Sequence, residues 1–141
     1  MNPAAAVATA VTFVWLGMVL AVSFLETPLK FRAPEVTVRI GLGIGRLVFR
    51  ALNTVEAVLA VALVVASVVG GAAGRSVVSS VVVVAVLVVQ LGLIRPRLTH
   101  RSNRVLTGAK SPGSRSHYAY VALEVVKVVA LIATGTLLLA S

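Results

Sequence analysis

The sequence contains no cysteine and few charged side chains, which make up 12% of its 141 residues. Without cysteine there is no disulfide framework, no thiolate metal site and no cysteine nucleophile. An average soluble domain has about 25% charged residues, which help to cover its surface. This chain is 59% hydrophobic, with a mean hydropathy of +1.05. The composition therefore excludes an ordinary soluble enzyme and a disordered protein, and it indicates a polytopic membrane protein.

Acidic residues are also scarce, since four of them face thirteen lysines and arginines, for a net charge of +9. In a soluble protein this excess would suggest a nucleic-acid partner. Here the positive side chains lie between long apolar runs, and membrane orientation explains them better. We therefore expect no nucleic acid as a partner. The dominance of Arg, Ala and Val is typical of GC-rich bacterial genomes, so we expect the cytoplasmic membrane of a bacterium.

Four apolar runs are long enough for transmembrane helices, each of which needs about 20 residues. They cover residues 4–25, 51–69, 77–94 and 118–140. Valine-rich runs favour strands in water, but in lipid the backbone must satisfy its own hydrogen bonds in a helix or a closed barrel. Barrel strands alternate apolar and polar residues, and these runs do not. The sequence predicts an all-α, four-transmembrane-helix bundle that forms a single domain over residues 1–141.

The connections between the spans differ in length and character. A tight glycine-rich link covers residues 70–75, and a basic loop with several helix breakers covers residues 95–117. Between the first two spans, Thr27 and Pro28 form a helix-start pattern, and Pro34 and Glu35 form a second one. We expect the helix of span two to begin near Pro34. Its first part would be an interfacial helical segment before the second span.

The positive charges predict the orientation in the membrane. Eleven lie in the first and third connections or at the start of span two, whereas the second connection contains only Arg75. Because cytoplasmic loops carry the excess of Lys and Arg, the first and third connections are expected in the cytoplasm. Both termini would then lie outside the cytoplasm.

A few polar residues lie inside the apolar runs, where each ionisable group needs a partner or a role. Glu124 and Lys127 lie one turn apart in span four, and Lys127 reaches toward the depth of Glu56 in span two. We expect these groups to meet in the cytoplasmic half of the bundle. The predicted intramembrane polar cluster comprises Glu26, Asn53, Glu56, Glu124 and Lys127.

Two interpretations of this predicted cluster stay open. It could line a small polar cavity open to the cytoplasm, which binds an ion, a proton or a small polar molecule. It could instead be a neutral ion-pair cluster that fixes helix register, because buried pairs can supply specificity. We expect a non-enzymatic accessory or binding protein. The alternative is a small oligomeric transporter or channel for protons, ions or a small polar solute. Either protein could be a homo-oligomer or part of a larger membrane complex.

The arginines outside the spans can bind anionic lipid headgroups or a cytoplasmic partner, or they can serve only as a topology signal. No nucleophile–base pair, paired-carboxylate site or metal-ligand spacing is visible, so we expect no enzyme, metal or cofactor. Gly41 and Gly45, four residues apart, favour close helix packing. The candidate lipid- or partner-binding residues are Arg39, Arg46, Arg50, Arg95, Arg97, Arg101 and Arg104.

Two parts of the chain resemble a known grouping of small membrane proteins. Residues 13–17 (FVWLG) and 24–31 (FLETPLKF) resemble the opening of four-helix families related to the copper-resistance protein CopD and to the oxygen-independent protoporphyrinogen oxidase. Residues 95–98 (RPRL), Asn103 and residues 116–118 (SHY) resemble the loop before their last helix. The resemblance implies a four-helix membrane fold, nearest to uncharacterised bacterial members. Oxidase members carry haem through a membrane histidine, which span one of this chain does not contain.

Overall fold

The computed structural model describes residues 2–71, 74–94 and 115–140, with side chains described for 2–71, 74–92 and 121–140. Four helices within these ranges are long and apolar enough to cross a membrane, which confirms the predicted all-α four-span bundle. The chain is therefore a multi-pass membrane protein. The elements are α1 (Pro3–Val19), π1 (Leu20–Glu26), α2 (Thr27–Lys30), α3 (Val38–Val69), α4 (Gly74–Val89), π2 (Gln90–Ile94) and α5 (Arg115–Ala140), where π1 and π2 are π-helical.

The start of α1 is tied to the end of α3 by one side chain. Asn2 caps α1, because its side-chain oxygen accepts a hydrogen bond from the Ala5 N–H at 2.8 Å, and Pro3 follows at the first helical position. The side-chain amide of Asn2 also donates to the Gly70 carbonyl at 3.0 Å. The N-terminus and the link between α3 and α4 therefore lie at the same end of the bundle.

The sequence pattern suggested that a new helix starts at Thr27. The structure instead continues the first span through Pro28 to Lys30. Thr27 is not an N-cap: its backbone N–H and its hydroxyl both donate to the Val22 carbonyl, the hydroxyl at 2.9 Å. In an α-helix the Pro28 ring would clash with the carbonyl four residues earlier. The wider π-helical turn before Pro28 displaces that carbonyl, so the helix passes the proline without ending.

The predicted start of the second helix at Pro34 is wrong by four residues. Glu35 has a φ of +67°, and this left-handed conformation is incompatible with a helix. The helix begins at Val38, where the Thr37 hydroxyl accepts from the Ile40 N–H at 3.2 Å. The helical segment before the second span is present, and it consists of the first turns of the continuous helix α3.

The end of the first span folds back on the start of α3. A side chain at Gly41 would collide with the Phe31 ring, and one at Gly45 would lie 3.0 Å from Lys30 Nζ. The two glycines therefore permit close packing, as their spacing predicted. The segment that packs against them belongs to the same chain.

The helices pack unequally around the core. Helix α1 packs against α3 and α5, and α5 packs against α4, whereas α3 and α4 share a smaller interface. The outward faces of the spans are lined with exposed valines and leucines, which in a membrane protein contact lipid. The fully buried apolar side chains of the core are Ala8, Trp15, Val19, Leu63, Val83 and Leu131.

The interface between α1 and α5 depends on Gly135. A Cβ at this position would lie 2.6 Å from the Phe13 ring. We expect Gly135→Ala to destabilise the detergent-solubilised protein by about 1 kcal/mol, the low end for overpacking, because the ring of Phe13, which is 39% exposed, must move aside. Thermal unfolding measures this loss. Gly17→Ala is the control, since a Cβ there has no neighbour within 4 Å. Equal melting temperatures for the two variants would contradict the packing, and adding Phe13→Leu should reduce the cost of Gly135→Ala.

Candidate functional site

The ammonium group of Lys127 lies in the interior of the bundle and contacts three acceptors. Its Nζ is 2.6 Å from Glu124 Oε1, 2.7 Å from Glu56 Oε2 and 2.7 Å from Gln90 Oε1. Lys127 and Glu56 are 0% exposed and Glu124 is 2% exposed. Lys127 donates hydrogen bonds to Glu56 and Gln90, and Glu124 forms an ion pair with the same ammonium.

All four spans contribute to this site. Ser23 in π1 donates its hydroxyl to Glu124 Oε2 at 2.6 Å, and Gln90 at the start of π2 donates its amide to Glu124 Oε1 at 2.7 Å. Glu56 comes from α3, and Glu124 and Lys127 come from α5. We refer to Ser23, Glu56, Gln90, Glu124 and Lys127 as the polar cluster. Its hydrogen bonds connect each span to at least one other.

Helical periodicity places these side chains inward. In α5, Glu124, Lys127, Leu131 and Thr134 follow one another at steps of three or four, and all four are buried. These buried side chains form one stripe along α5. In α3, Glu56 belongs to a buried stripe with the same spacing, which also includes Leu52, Ala60 and Leu63.

The neutral members of the polar cluster lie in the two π-helical segments. Ser23 is in the middle of π1, and Gln90 is the first residue of π2. A π-helical turn contains an extra residue, which rotates the side chains that follow it, and such turns are frequent at functional sites. Both departures from α-helical geometry therefore coincide with the polar cluster.

Two buried polar atoms at the polar cluster have no hydrogen-bond partner among the described residues. They are Glu56 Oε1 and Trp15 Nε1. The indole of Trp15 lies close enough to interact with the Glu56 carboxylate. The other carboxylate, that of Glu124, accepts hydrogen bonds on both oxygens. Both carboxylate oxygens of Glu124 therefore accept hydrogen bonds, whereas only Oε2 of Glu56 does.

The structure brings together three of the five residues predicted for the cluster, namely Glu56, Glu124 and Lys127. Glu26 instead pairs with Lys30 at 3.7 Å, and its side chain is 35% exposed. Asn53 is half-buried one turn before Glu56, and no hydrogen bond joins it to the polar cluster.

Sequence reasoning missed two members of the polar cluster. Gln90 was visible as the one strongly polar residue of span three, and this signal could have assigned it to the cluster. Ser23 gave no comparable signal, because a serine or threonine in a membrane helix usually bonds to its own helix. Thr12 and Thr134 do so here, each donating to the carbonyl four residues earlier.

The interpretation of an open polar cavity does not fit the described residues, since the charged members of the polar cluster are almost fully buried. A groove of about 310 Å³ lies elsewhere, between α3 and α4, with walls that include Val64, Val68, Val77 and Val81. No member of the polar cluster lines this groove. Within the described ranges, no three His, Asp or Glu side chains converge as metal ligands.

Three of the candidate arginines are in α3. Arg39 and Arg50 are exposed and Arg46 is half-buried. None of the three forms an ion pair with a described acidic side chain. The other four candidates lie outside the described residues, in the basic loop: Arg95, Arg97, Arg101 and Arg104.

Comparisons with protein-family models, with curated proteins and with solved structures find no match to this chain. The resemblance to the CopD and protoporphyrinogen-oxidase grouping therefore stays a prediction. The polar cluster and the outer surface are the features from which a function can be argued.

Removing the cation should strongly destabilise the bundle. Lys127→Met leaves Glu124 beside Glu56 without a counter-ion and removes a donor to Gln90. Breaking a buried ion pair typically costs about 3–5 kcal/mol. We expect a large loss of folded yield and melting temperature in detergent, measured by size-exclusion chromatography and thermal unfolding.

Arg50→Met is the control, because Arg50 is exposed on α3 and forms no ion pair with a described acidic side chain. Surface substitutions of this kind usually change stability by about 0.5 kcal/mol or less. Combining Lys127→Met with Glu56→Gln and Glu124→Gln removes all three ionisable groups and should recover part of the lost stability. Equal effects of Lys127→Met and Arg50→Met would show that Lys127 is not held as described.

Proposed function

We propose that this chain is a non-enzymatic accessory or binding protein of the bacterial cytoplasmic membrane, and that the polar cluster sets the arrangement of its four spans. The observation that carries the proposal is that Lys127 Nζ, fully buried, contacts acceptors from α3, π2 and α5, through two hydrogen bonds and one ion pair. Such bonding favours a fixed structural contact over a binding site for a passing solute.

Hydrogen-bond capacity argues against conduction through a single copy. A conducting site must bind its solute weakly enough to release it, using groups that are free between binding events. The ammonium of Lys127 is already engaged by Glu56, Gln90 and Glu124 within the chain, and both oxygens of Glu124 already accept hydrogen bonds. The groove between α3 and α4 has mostly valine walls, which offer little to a polar solute.

The outer surface supports the binding part of the proposal. The spans expose apolar side chains that contact lipid, and a helix of a partner protein could take the place of that lipid. Arg39 and Arg50 are exposed on the first turns of α3 and are unpaired among the described acidic residues. Near a membrane surface each such charge contributes about 1 kcal/mol to binding anionic lipid. We propose anionic headgroups as the ligands of this surface.

The alternative is a small oligomeric transporter or channel for protons, ions or a small polar solute. The observation that favours it is the unpartnered Glu56 Oε1 in the interior. A carboxylate inside a membrane is a common proton carrier. In this case Glu56 would be required for flux, whereas in the accessory protein it would be required only for the fold.

A flux measurement in liposomes separates the two functions. We expect vesicles containing the purified protein to be no more permeable to protons than protein-free vesicles under the same membrane potential. Purification in mild detergent with mass analysis should recover a second protein in stoichiometric amount. Proton flux above the protein-free rate, abolished by Glu56→Gln in a variant that folds normally, would contradict the accessory function.

The proposed orientation places both termini outside the cytoplasm, and single cysteines in this cysteine-free chain can test it. Ala33 and Gly74 are exposed at the first and second connections, and a Cβ at Gly74 has no neighbour within 4 Å. We expect a membrane-impermeant thiol reagent to label Gly74→Cys in intact cells and Ala33→Cys only after permeabilisation. The reverse pattern would show that the charge excess lies outside the cytoplasm.

A further inference from the structure

The polar cluster contains one acidic group more than it has cations. Glu56 and Glu124 share the single ammonium of Lys127. Lys127 and Glu124, both in α5, are also the charged groups that interact with Glu56. The residues that the first span and π2 contribute around Glu56 are neutral, namely Trp15, Ser23 and Gln90.

Among the described residues, no further charged side chain forms an ion pair with the polar cluster. The Glu26 and Lys30 side chains neutralise each other in a separate pair. On the helix of Glu56 itself, Arg50 is exposed. With all three of its ionisable groups charged, the polar cluster would carry a net charge of −1 in a closed apolar interior.

An uncompensated charge in such a place is costly, because it has lost its hydration without gaining a counter-ion. We propose that the polar cluster binds one titratable proton, held on the carboxyl group of Glu56, which makes the folded bundle electrically neutral. This proton site is independent of whether the protein is an accessory subunit.

The hydrogen bonds assign the proton to Glu56. Glu124 already accepts hydrogen bonds on both oxygens, from Ser23 and Gln90, so a proton there would displace one of them. Glu56 accepts one hydrogen bond, from Lys127 to Oε2, while its Oε1 has no donor among the described residues. A proton on Oε1 therefore displaces no existing bond.

A proton fits this site better than a metal cation. Hard cations are bound by several oxygen ligands, six to eight in the case of calcium. Here one carboxylate oxygen is unpartnered, and the described residues contain no group of three acidic or histidine side chains that could hold an ion.

The proton couples the stability of the bundle to pH. The unfolded chain exposes Glu56 to water, where its carboxylate is ionised near neutral pH. The folded form then binds one proton more than the unfolded form. Stability therefore falls as pH rises from the range in which the unfolded chain loses this proton to the range in which the folded protein loses it, and it levels off above that range.

Trp15 is a built-in reporter for the experiment, since it is the one tryptophan of the chain and lies fully buried beside Glu56. We expect the emission of Trp15 in the detergent-solubilised protein to change with pH in a single one-proton step. The melting temperature should fall as pH rises toward this step and should level off above it. Both signals should be flat over this range in Glu56→Gln, whose neutral side chain mimics the protonated acid. Glu26→Gln is the matched control and should titrate like the unmodified protein.

Two further measurements on the unmodified protein test the proposal even if Glu56→Gln folds poorly. Infrared spectroscopy of the unmodified protein should show a protonated carboxylic acid below the step that disappears above it. The midpoint should be the same in sodium, potassium and a bulky organic cation. A midpoint that depends on the cation, a step that persists in Glu56→Gln, or no carboxylic-acid band at any pH would each overturn the proposal.

Discussion

The ammonium of Lys127 must be neutralised and hydrogen-bonded in an interior without water, and the arrangement of the four spans depends on this requirement. Helices in lipid gain little from apolar burial against each other, so packing and polar contacts decide their register. Three acceptors around one donor group fix the relative depth of α3, α4/π2 and α5. Ser23 extends the same network to the first span. The two π-helical segments provide the local rotation that this convergence needs.

Contacts far from the polar cluster join neighbouring segments at both ends of the bundle. At one end, Asn2 bonds to the carbonyl of Gly70 and joins the start of α1 to the end of α3. At the other, Phe31 and Lys30 pack over the glycines at the start of α3. Between α3 and α4 the apolar interface is smaller and a valine-lined groove remains. A chain held by internal polar contacts can present such apolar surfaces to lipid or to a partner without losing its own register.

Much of this arrangement follows from the sequence, because a chain that crosses lipid must form helices or a closed barrel. Span number, helical class and the meeting of Glu56 with Lys127 come from run length, charge and helical spacing. The continuation through Pro28 and the late start of α3 could not be read in this way, because they depend on a π-helical turn and on the left-handed conformation of Glu35. Ser23 carries no sequence signal that separates it from serines bonded to their own helix. Glu26 misled the prediction because its partner, Lys30, lies on the same helix.

The central claim is that one ammonium binds two carboxyl groups and an amide in the membrane interior. Solid-state NMR in lipid bilayers can measure it directly, through dipolar couplings between ¹⁵N at Lys127 Nζ and ¹³C at the carboxyl carbons. The account predicts that Lys127 Nζ contacts the carboxyl groups of both Glu56 and Glu124 and that its protons are protected from exchange with water. Contact with only one carboxyl group, or rapid exchange of the Lys127 ammonium with solvent, would contradict it.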